Sequence, residues 1–361
     1  MKTDLEEYLK SGMENILRGA VNISRLNVRQ SIFMAGFARS CKIASARREE
    51  LERNGEHIPP FLIASITSSC NLHCAGCYAR AIKSCADVDL SGQLTADEWK
   101  RIFIEARELG ISFIILAGGE PMVRKDIIEA AGAVPEIMFP IITNGTLIND
   151  EYIKLFNKKR NLVPIISIEG GKELTDKRRG KGIYEKISAS FAKLKENRII
   201  TGASVTVTKE NLDEVFSDEY IDALSEKGCS VILFIEYVDV SGESDLSIGD
   251  KERAIMDERI GALREKHNDM LLVAFPGDER KAGGCLAAGR GFFHINSRGG
   301  AEPCPFSPYS DVNIKDTSLR AALNSEFFRK LNKSELLSKE HTGGCVLFEQ
   351  DNNVRQMLEQ F

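Results

Sequence analysis

Apolar residues between positions 61 and 275 fall into short continuous runs that alternate with longer stretches in which they recur every three or four positions. Short apolar runs are typical of strands covered on both faces of a sheet, and the longer stretches are typical of amphipathic helices. The alternation predicts repeated βα units and a parallel sheet, an α/β fold. Six strands are predicted, at 61–66, 112–117, 137–142, 164–168, 201–207 and 231–238.

Two of the helices that follow these strands have marked starts. Thr95 and Glu98 form a capping box, and Asn149 precedes an acidic pair at the head of another helix. In βα folds the functional loops lie at the carboxyl ends of the strands. A loop rich in cysteine follows the first predicted strand directly, so we expect it at the mouth of the sheet.

Two regions flank this core. Residues 1–58 are predicted to be a helical N-terminal extension, which ends at the boundary Pro59-Pro60. Residues 276–361 are richer in glycine and turn residues, hold three further cysteines and do not continue the βα rhythm. We therefore expect three parts: the extension 1–58, a core 59–275 and a small C-terminal module 276–361.

The composition narrows the functional class. A net charge of −5 argues against a global nucleic-acid-binding surface. No apolar run is long enough to span a bilayer, and the first residues lack the pattern of a secretory signal, so a cytoplasmic protein without a membrane span is expected. The nine cysteines suit reduced thiols in metal-like positions better than a disulfide framework.

One segment, 15–48, is strongly basic, with seven lysines and arginines and no acidic residue. Such a stretch can bind an anionic lipid, an acidic peptide or nucleic acid. The alternative is that its apolar residues Ile32, Phe33 and Phe37 pack on the core while the arginines are solvated. We favour packing.

The cysteine loop carries the most specific signal, Cys70-x3-Cys74-x2-Cys77. Three thiolates on one short loop hold three irons of a cubane cluster and leave the fourth iron open. A structural zinc site is the alternative, but it more usually has paired Cys-x2-Cys motifs and a fourth protein ligand. Here the next cysteine is Cys85, and the nearby His73 sits inside the loop.

This loop, placed after the first strand of a six-unit βα core, resembles the radical S-adenosylmethionine (SAM) superfamily over about residues 61–275. The resemblance implies a (βα)6 partial TIM-type barrel. It also extends to Tyr78, an aromatic residue directly after the last cysteine. If it holds, Cys70, Cys74 and Cys77 are the catalytic and metal-binding residues.

Further motifs follow in the order of that family. Gly118-Gly119-Glu120-Pro121 is similar to the motif that receives the amino group of SAM, where glycines let the backbone approach a ligand closely. The turn containing Asn144, and the segment containing Ser167 and Glu169, are similar to those that approach the ribose and carboxylate of SAM. The family more often has aspartate at the position of Glu169.

The segment Asp176-x2-Arg179-Gly180-x-Gly182-x-Tyr184 resembles a pattern common among peptide-modifying and related members of that family. Its Arg179 is expected either to bind an anionic substrate or the SAM carboxylate, or to order its loop by a salt bridge with Asp176. The residues leave these alternatives open.

The resemblance implies an enzyme with a [4Fe–4S] cluster that cleaves SAM reductively to a 5′-deoxyadenosyl radical, which abstracts hydrogen from a substrate. A peptide or protein substrate is expected. The alternatives are a small-molecule dehydrogenation or cofactor-biosynthetic reaction, and a noncatalytic iron–sulfur or zinc-binding interaction protein. A flavodoxin or ferredoxin is the electron donor that the family implies.

The C-terminal cysteines Cys285, Cys304 and Cys345 resemble part of the SPASM/twitch extension that holds auxiliary iron–sulfur clusters. Three cysteines imply one auxiliary cluster whose fourth ligand is His341, substrate, an oxygen ligand or another thiol; otherwise the thiols are merely buried.

The remaining cysteines lie outside these two groups. Cys41 and Cys229 are expected to be structural, because they lie in apolar contexts. Cys85 is a candidate hydrogen donor to a substrate radical.

Overall fold

The computed structural model describes residues 28–87, 91–242, 244–282, 284–337 and 345–359. The strands are β1 Phe61–Thr67, β2 Phe113–Gly118, β3 Phe139–Thr143, β4 Leu162–Ser167, β5 Thr201–Val207, β6 Cys229–Glu236, β7 Leu271–Phe275, β8 His294–Ile295 and β9 Ala301–Glu302. The helices are α1 Val28–Arg53, α2 Tyr78–Ala81, α3 Ala96–Leu109, α4 Lys125–Ala131, α5 Asp150–Lys158, α6 Lys172–Arg179, α7 Ile183–Glu196, α8 Leu212–Val215, α9 Asp218–Glu226, α10 Asp250–Lys266, α11 Leu319–Leu323, α12 Glu326–Lys333, α13 Val346–Glu349 and α14 Asp351–Leu358.

All these strands form one sheet in the order β7-β6-β5-β4-β3-β2-β1-β8-β9. Strands β1 to β7 run parallel, each paired with the next strand along the chain. The predicted α/β fold, a partial TIM-type barrel of βα units, is confirmed. Because parallel strands share one direction, the loops after β1, β2, β3 and β4 emerge at the same edge.

The two faces of the sheet have different coverings. In β1, Leu62 and Ala64 are fully buried and belong to the core shared with the outer helices. The alternate positions belong to the inner face, because successive side chains of a strand point to opposite faces. On that face Met34 and Phe37 of α1 pack in one apolar cluster with Phe113 of β2.

Helix α1 confirms a helical region before the first strand, while residues 1–27 of the predicted extension lie outside the described residues. The packing of helix α1 differs in part from the expected burial of its apolar residues: Phe37 is buried, but Ile32 is 69% exposed. Arg47 donates hydrogen bonds to the last carbonyls of α3, and Arg48 donates to the carbonyl of Gly110 just beyond. These arginines therefore cap a helix rather than being merely solvated.

Strand β7 was not predicted, although its residues lie within the predicted core. It pairs with β6 over five residues and continues the parallel order. A five-residue apolar run carries too little periodicity to be distinguished from a helical segment, which explains the omission.

The hairpin β8–β9 joins the C-terminal segment to the first strand. His294 and Ile295 pair in parallel with Ile63 and Ala64. This attachment places residues beyond β7 beside the loop that follows β1. The division into 1–58, 59–275 and 276–361 remains a prediction.

The capping residues behave as predicted. Thr95 and Glu98 complete a reciprocal capping box at α3, and Asn149 accepts a hydrogen bond from the backbone N–H of Tyr152 at the start of α5. Within the described parts of the chain, no helix has the length and apolar character needed to cross a membrane.

Candidate functional site

The cysteine loop follows β1 and is held by backbone and arginine contacts. Arg80 donates hydrogen bonds to the carbonyl of Leu72 at 2.9 Å and, more weakly, to that of Cys70 at 3.4 Å. The backbone N–H of Ala75 donates to the carbonyl of Arg178 at 2.8 Å. Cys70, Cys74 and Cys77 are all free and partly exposed, so their thiols are available at the edge of the sheet.

Cys85 lies against this group. Its buried thiol is in hydrogen-bond contact with Cys70, which is the main reason that the pKa of Cys70 is lowered to about 6. The backbone N–H of Leu72, Arg80 and Arg179 lower it further, and burial opposes them. The pKa of Cys85 is raised correspondingly. The role of Cys85 as a hydrogen donor stays a prediction, but the structure places its thiol on a predicted cluster ligand.

The glycine motif after β2 packs directly on the backbone that leads into the cysteine loop. The N–H of Gly119 donates to the carbonyl of Thr67, and the N–H of Glu120 donates to that of Ser69, both at 2.8 Å. A Cβ atom at Gly119 would lie 2.1 Å from the carbonyl oxygen of Ser69. Glycine is therefore required at this position for the ends of β1 and β2 to meet. This contact fixes the start of the cysteine loop at Cys70.

The carboxyl group of Glu120 is buried beneath this motif. It accepts hydrogen bonds from the Thr143 hydroxyl at 2.6 Å and from the N–H groups of Asn144 at 2.7 Å and Met122 at 3.0 Å. Burial raises the pKa of Glu120 to about 7, although these hydrogen bonds oppose it. The side chain ties the ends of β2 and β3 together, a role that the sequence analysis did not assign. Pro121 is buried at the start of the turn that follows.

Asn144, after β3, connects its turn to the cysteine loop. Its side-chain amide donates to Asn71 at 2.8 Å, and Asn71 in turn donates to the hydroxyl of Thr146 at 2.9 Å. Asn71 lies directly after Cys70. The turn after β3 and the cysteine loop are therefore braced by side-chain amides.

Glu169, after β4, is a buried carboxylate with two arginine partners. Arg179 donates to its Oε1 at 2.9 Å, and Arg178 lies 3.0 Å from the same oxygen. Its other oxygen accepts from the N–H of Thr206 on β5 at 3.2 Å. Burial alone would raise the pKa of Glu169, but the two arginines bring it below the ordinary value. Ser167 is a buried residue at the end of the same strand.

Arg179 extends from Glu169 toward the cysteines, with a guanidinium nitrogen 4.0 Å from the sulfur of Cys74. Asp176 instead accepts hydrogen bonds from the N–H groups of Gly182 and Tyr184 and pairs with Lys172. The alternative of an Arg179–Asp176 salt bridge is therefore wrong, because Arg179 is committed to the buried Glu169.

Tyr237 was missed from the sequence. It follows β6, at the same edge as the other site residues, and Arg178 lies over its ring at 5.9 Å. A Cβ atom at Gly76 would lie 2.8 Å from the Tyr237 hydroxyl oxygen, and Gly76 has φ +64°. Its place directly after a strand was the signal that was available.

This contact predicts that Gly76→Ala displaces the cysteine loop. We expect iron affinity after anaerobic reconstitution to fall on the order of 10-fold, the scale seen when groups supporting metal ligands are disturbed. Iron titration measures it. The double variant Gly76→Ala/Tyr237→Leu should recover part of the loss, whereas Gly92→Ala, at an exposed glycine with open space around it, is the control. An unchanged iron affinity in Gly76→Ala would contradict the contact.

A second thiol group lies at the C-terminal side. Cys285, Cys304 and Cys345 line a cavity of about 20 Å³ together with Glu279. Cys304 and Cys345 are in hydrogen-bond contact, and Cys285 lies within electrostatic reach of both. Burial raises the pKa of Glu279 to about 8. The structure thus brings together all three predicted cysteines, while His341 lies outside the described residues.

Tyr78 connects the two thiol groups. Its ring packs on Phe306 with centroids 4.6 Å apart; Tyr78 directly follows Cys77, and Phe306 lies two residues after Cys304. The two rings therefore bridge the cysteine loop and the second thiol group.

A cavity of about 190 Å³ with several polar side chains in its wall lies beside Tyr78 and Gly118. His294 in its wall bonds to the Ser65 hydroxyl and to Glu302, both at 2.7 Å. The exposed Lys83 lies in the same wall. This cavity adjoins both the cysteine loop and the glycine motif.

The donor groups suit an iron–sulfur cluster. Among the described residues, no three His, Cys, Asp or Glu side chains are arranged around a single metal ion. Each cysteine of a [4Fe–4S] cluster binds a different iron, so its ligands do not converge on one point. Cys85, the backbone N–H of Leu72, Arg80 and Arg179 lower the pKa of Cys70, which favours the thiolate form that an iron ligand needs.

Comparisons with known proteins found a family match and similar sequences. Residues 64–218 match the radical SAM superfamily. An AdoMet-dependent heme synthase of Methanosarcina barkeri is 30% identical over 320 residues, covering 80% of this chain and 88% of that protein.

The solved structures of Streptococcus suis SuiB resemble the fold. With SAM bound, the TM-score is 0.69 at 16% identity, over 85% of this chain and 78% of that one. For SuiB with its precursor peptide SuiA bound, the TM-score is 0.68 at 18% identity, over 86% of this chain and 76% of the SuiB chain.

Proposed function

The chain belongs to the radical SAM superfamily of enzymes, and from that premise we propose that Cys70, Cys74 and Cys77 hold a [4Fe–4S] cluster to which SAM binds. When bound, the two cofactors supply reductive cleavage of SAM and a 5′-deoxyadenosyl radical that takes hydrogen from a substrate carbon. The open iron left by three cysteine ligands is the position for SAM.

The chain's own residues position these groups. We assign SAM binding to Tyr78, to the motif Gly118, Gly119, Glu120 and Pro121, and to Asn144, Ser167, Glu169 and Arg179. Glu169 holds Arg179 beside Cys74, where the guanidinium partly offsets the burial that raises the pKa of this thiol. Glu120 and Asn144 brace the neighbouring loops.

One observation carries the proposal. The segments after β2, β3 and β4 each reach the cysteine loop: Gly119 and Glu120 bond to the backbone before Cys70, Asn144 bonds to Asn71, and Arg179 approaches Cys74. Three separate strand ends converge on one thiol loop, which is the arrangement a site for a cluster and a ligand requires.

We propose a peptide or protein as the substrate. SuiB, which shares the fold, was solved with its precursor peptide. The cavity beside Tyr78 adjoins the site, and the polar side chains of His294 and Glu302 in its wall make it our candidate for binding a polar part of the substrate.

A small-molecule substrate is the second candidate. It is favoured by the heme synthase of M. barkeri, because the sequence likeness extends over 88% of that protein. The noncatalytic alternative is not carried forward, since the relatives are named as synthases and cyclases.

The test of radical SAM activity is formation of 5′-deoxyadenosine and methionine from SAM by the anaerobically reconstituted protein with dithionite. To separate the substrate candidates, extracts of cells grown in heavy water are divided into peptide and small-molecule fractions. Deuterium in 5′-deoxyadenosine identifies the fraction that gives up the hydrogen. Absence of 5′-deoxyadenosine with every fraction, from fully loaded protein, would reject the proposed chemistry.

Two further parts belong to the proposal. Cys285, Cys304 and Cys345 hold an auxiliary iron–sulfur cluster, supported by their position around one buried cavity. A flavodoxin or ferredoxin in the cytoplasm supplies the electron. Iron retained by a protein that lacks the first three cysteines tests the auxiliary cluster.

A further inference from the structure

A buried carboxyl group lies among the three C-terminal cysteines. Glu279 stands in the short 3₁₀ helix after β7 and is 4% exposed. Within the described residues its carboxyl has one hydrogen-bond partner, the backbone N–H of Leu286 at 3.3 Å. A buried carboxylate is costly unless a cation or several hydrogen bonds compensate it. Among the residues that the structure describes, no cation forms an ion pair with this carboxyl, so a metal centre in the cavity would stabilise its charged form.

Arginine does not take that role here. Arg290 is close enough to interact electrostatically with Glu279, but its guanidinium donates to the backbone carbonyls of Cys285 at 2.6 Å and Leu337 at 3.1 Å. It is thus directed at the backbone of the thiol segment.

The four side chains come from four separate segments of the chain. Glu279 follows β7, Cys285 lies in the next loop, Cys304 follows β9 and Cys345 precedes α13. They share one small cavity whose remaining lining includes Phe275, Phe292 and Phe306. Three thiols and one carboxyl around one apolar cavity suit an iron–sulfur cluster, whose ligands each bind a different iron, better than a single metal ion.

We propose that Glu279 is the fourth protein ligand of the auxiliary cluster, completing a Cys₃Glu set with Cys285, Cys304 and Cys345. The inference rests on the auxiliary cluster of the proposed function. Cys304 and Cys345 are in contact, so a bound cluster requires their thiols to separate. With four protein ligands, no iron of this cluster is open, and the substrate does not bind to it directly.

The experiment uses the full chain with Cys70→Ala/Cys74→Ala/Cys77→Ala, so that the auxiliary site alone can be loaded with iron and sulfide. To this background we add Glu279→Gln, Glu279→Cys or the control Glu349→Gln, which alters an exposed residue near Cys345. The readouts are bound iron and sulfide, and the electron paramagnetic resonance of the reduced cluster with isotopically labelled cyanide, which binds an open iron.

We expect the background and the Glu349→Gln variant to bind iron without a cyanide coupling. Glu279→Gln should bind iron on the order of 10-fold more weakly and show the coupling, because one iron has lost its ligand. Glu279→Cys should restore tight binding without the coupling, which keeps the test valid even if Glu279→Gln folds poorly.

Two results would overturn the inference in different ways. A cyanide coupling already present in the background would show that an iron is open and that Glu279 is not a ligand. Absence of iron in the background would reject the auxiliary cluster itself, and this outcome is separate from the 5′-deoxyadenosine test of the first site.

Discussion

Replacing Cys70, Cys74 and Cys77 together by alanine should abolish formation of 5′-deoxyadenosine from SAM, to the level of the protein-free reaction. Each thiolate binds a different iron of the proposed cluster, so removal of all three leaves no ligand on this loop. The fold should persist, because the loop is also held by Arg80 and by the N–H of Ala75. Liquid chromatography of the anaerobic, dithionite-reduced reaction measures the product, and circular dichroism checks the fold.

The matched control is Cys229→Ala. Cys229 is buried at the start of β6, whereas the cysteine loop lies at the edge where the parallel strands end, so Cys229 is at the opposite edge of the sheet from the proposed cluster. This variant should keep its iron and its 5′-deoxyadenosine formation. Equal activity in the triple variant and the wild type would place the chemistry at another site.

Much of this site could be predicted from the sequence, because parallel strands have their carboxyl ends at one edge of the sheet. The Cys70 loop, the glycine motif before Pro121 and the turn at Asn144 each directly follow a predicted strand, and the structure brings them into contact. The strand pattern gives the order of the units, and that order places the loops side by side.

Other contacts could not be predicted from the sequence, because no local pattern connects the residues that they join. The position of Tyr237 over Gly76 depends on how far the barrel curves, which brings the end of β6 back to the first loop. For Arg179 the sequence pattern offers a ligand carboxylate or Asp176 as the partner, whereas the structure pairs it with Glu169, whose burial no local pattern indicates. Glu279 had no signal at all, because a single glutamate in a turn is ordinary on a surface.

The glycine motif is constrained by the packing of two strands as well as by its predicted ligand. Its glycines were expected to admit a ligand, yet a Cβ atom at Gly118 would lie 2.2 Å from the carbonyl oxygen of Thr67. The motif is thus already required by the contact between β1 and β2. Ligand binding and strand packing constrain the same residues, so substitution here affects both.

The buried ion pairs of Glu169 lead to the second large effect. Glu169→Gln should lower the free energy of unfolding by about 3–5 kcal/mol, the cost of leaving buried charges without their partner. Arg178 and Arg179 both depend on this carboxylate, and their side chains are 16% and 10% exposed. Urea denaturation under anaerobic conditions, with intrinsic fluorescence as the signal, measures the difference.

The control for this prediction is Glu210→Gln, which removes the exposed ion pair with Lys177 and should cost about 0–1 kcal/mol. Glu169→Asp retains the charge and should recover part of the stability, although the shorter side chain draws Arg179 away from Cys74. If positioning of Arg179 matters for SAM, Glu169→Asp will be folded yet bind SAM more weakly by equilibrium dialysis. A loss of stability in Glu169→Gln no larger than that in Glu210→Gln would show that the arginines find other partners, and Glu169 would then have no organising role at this site.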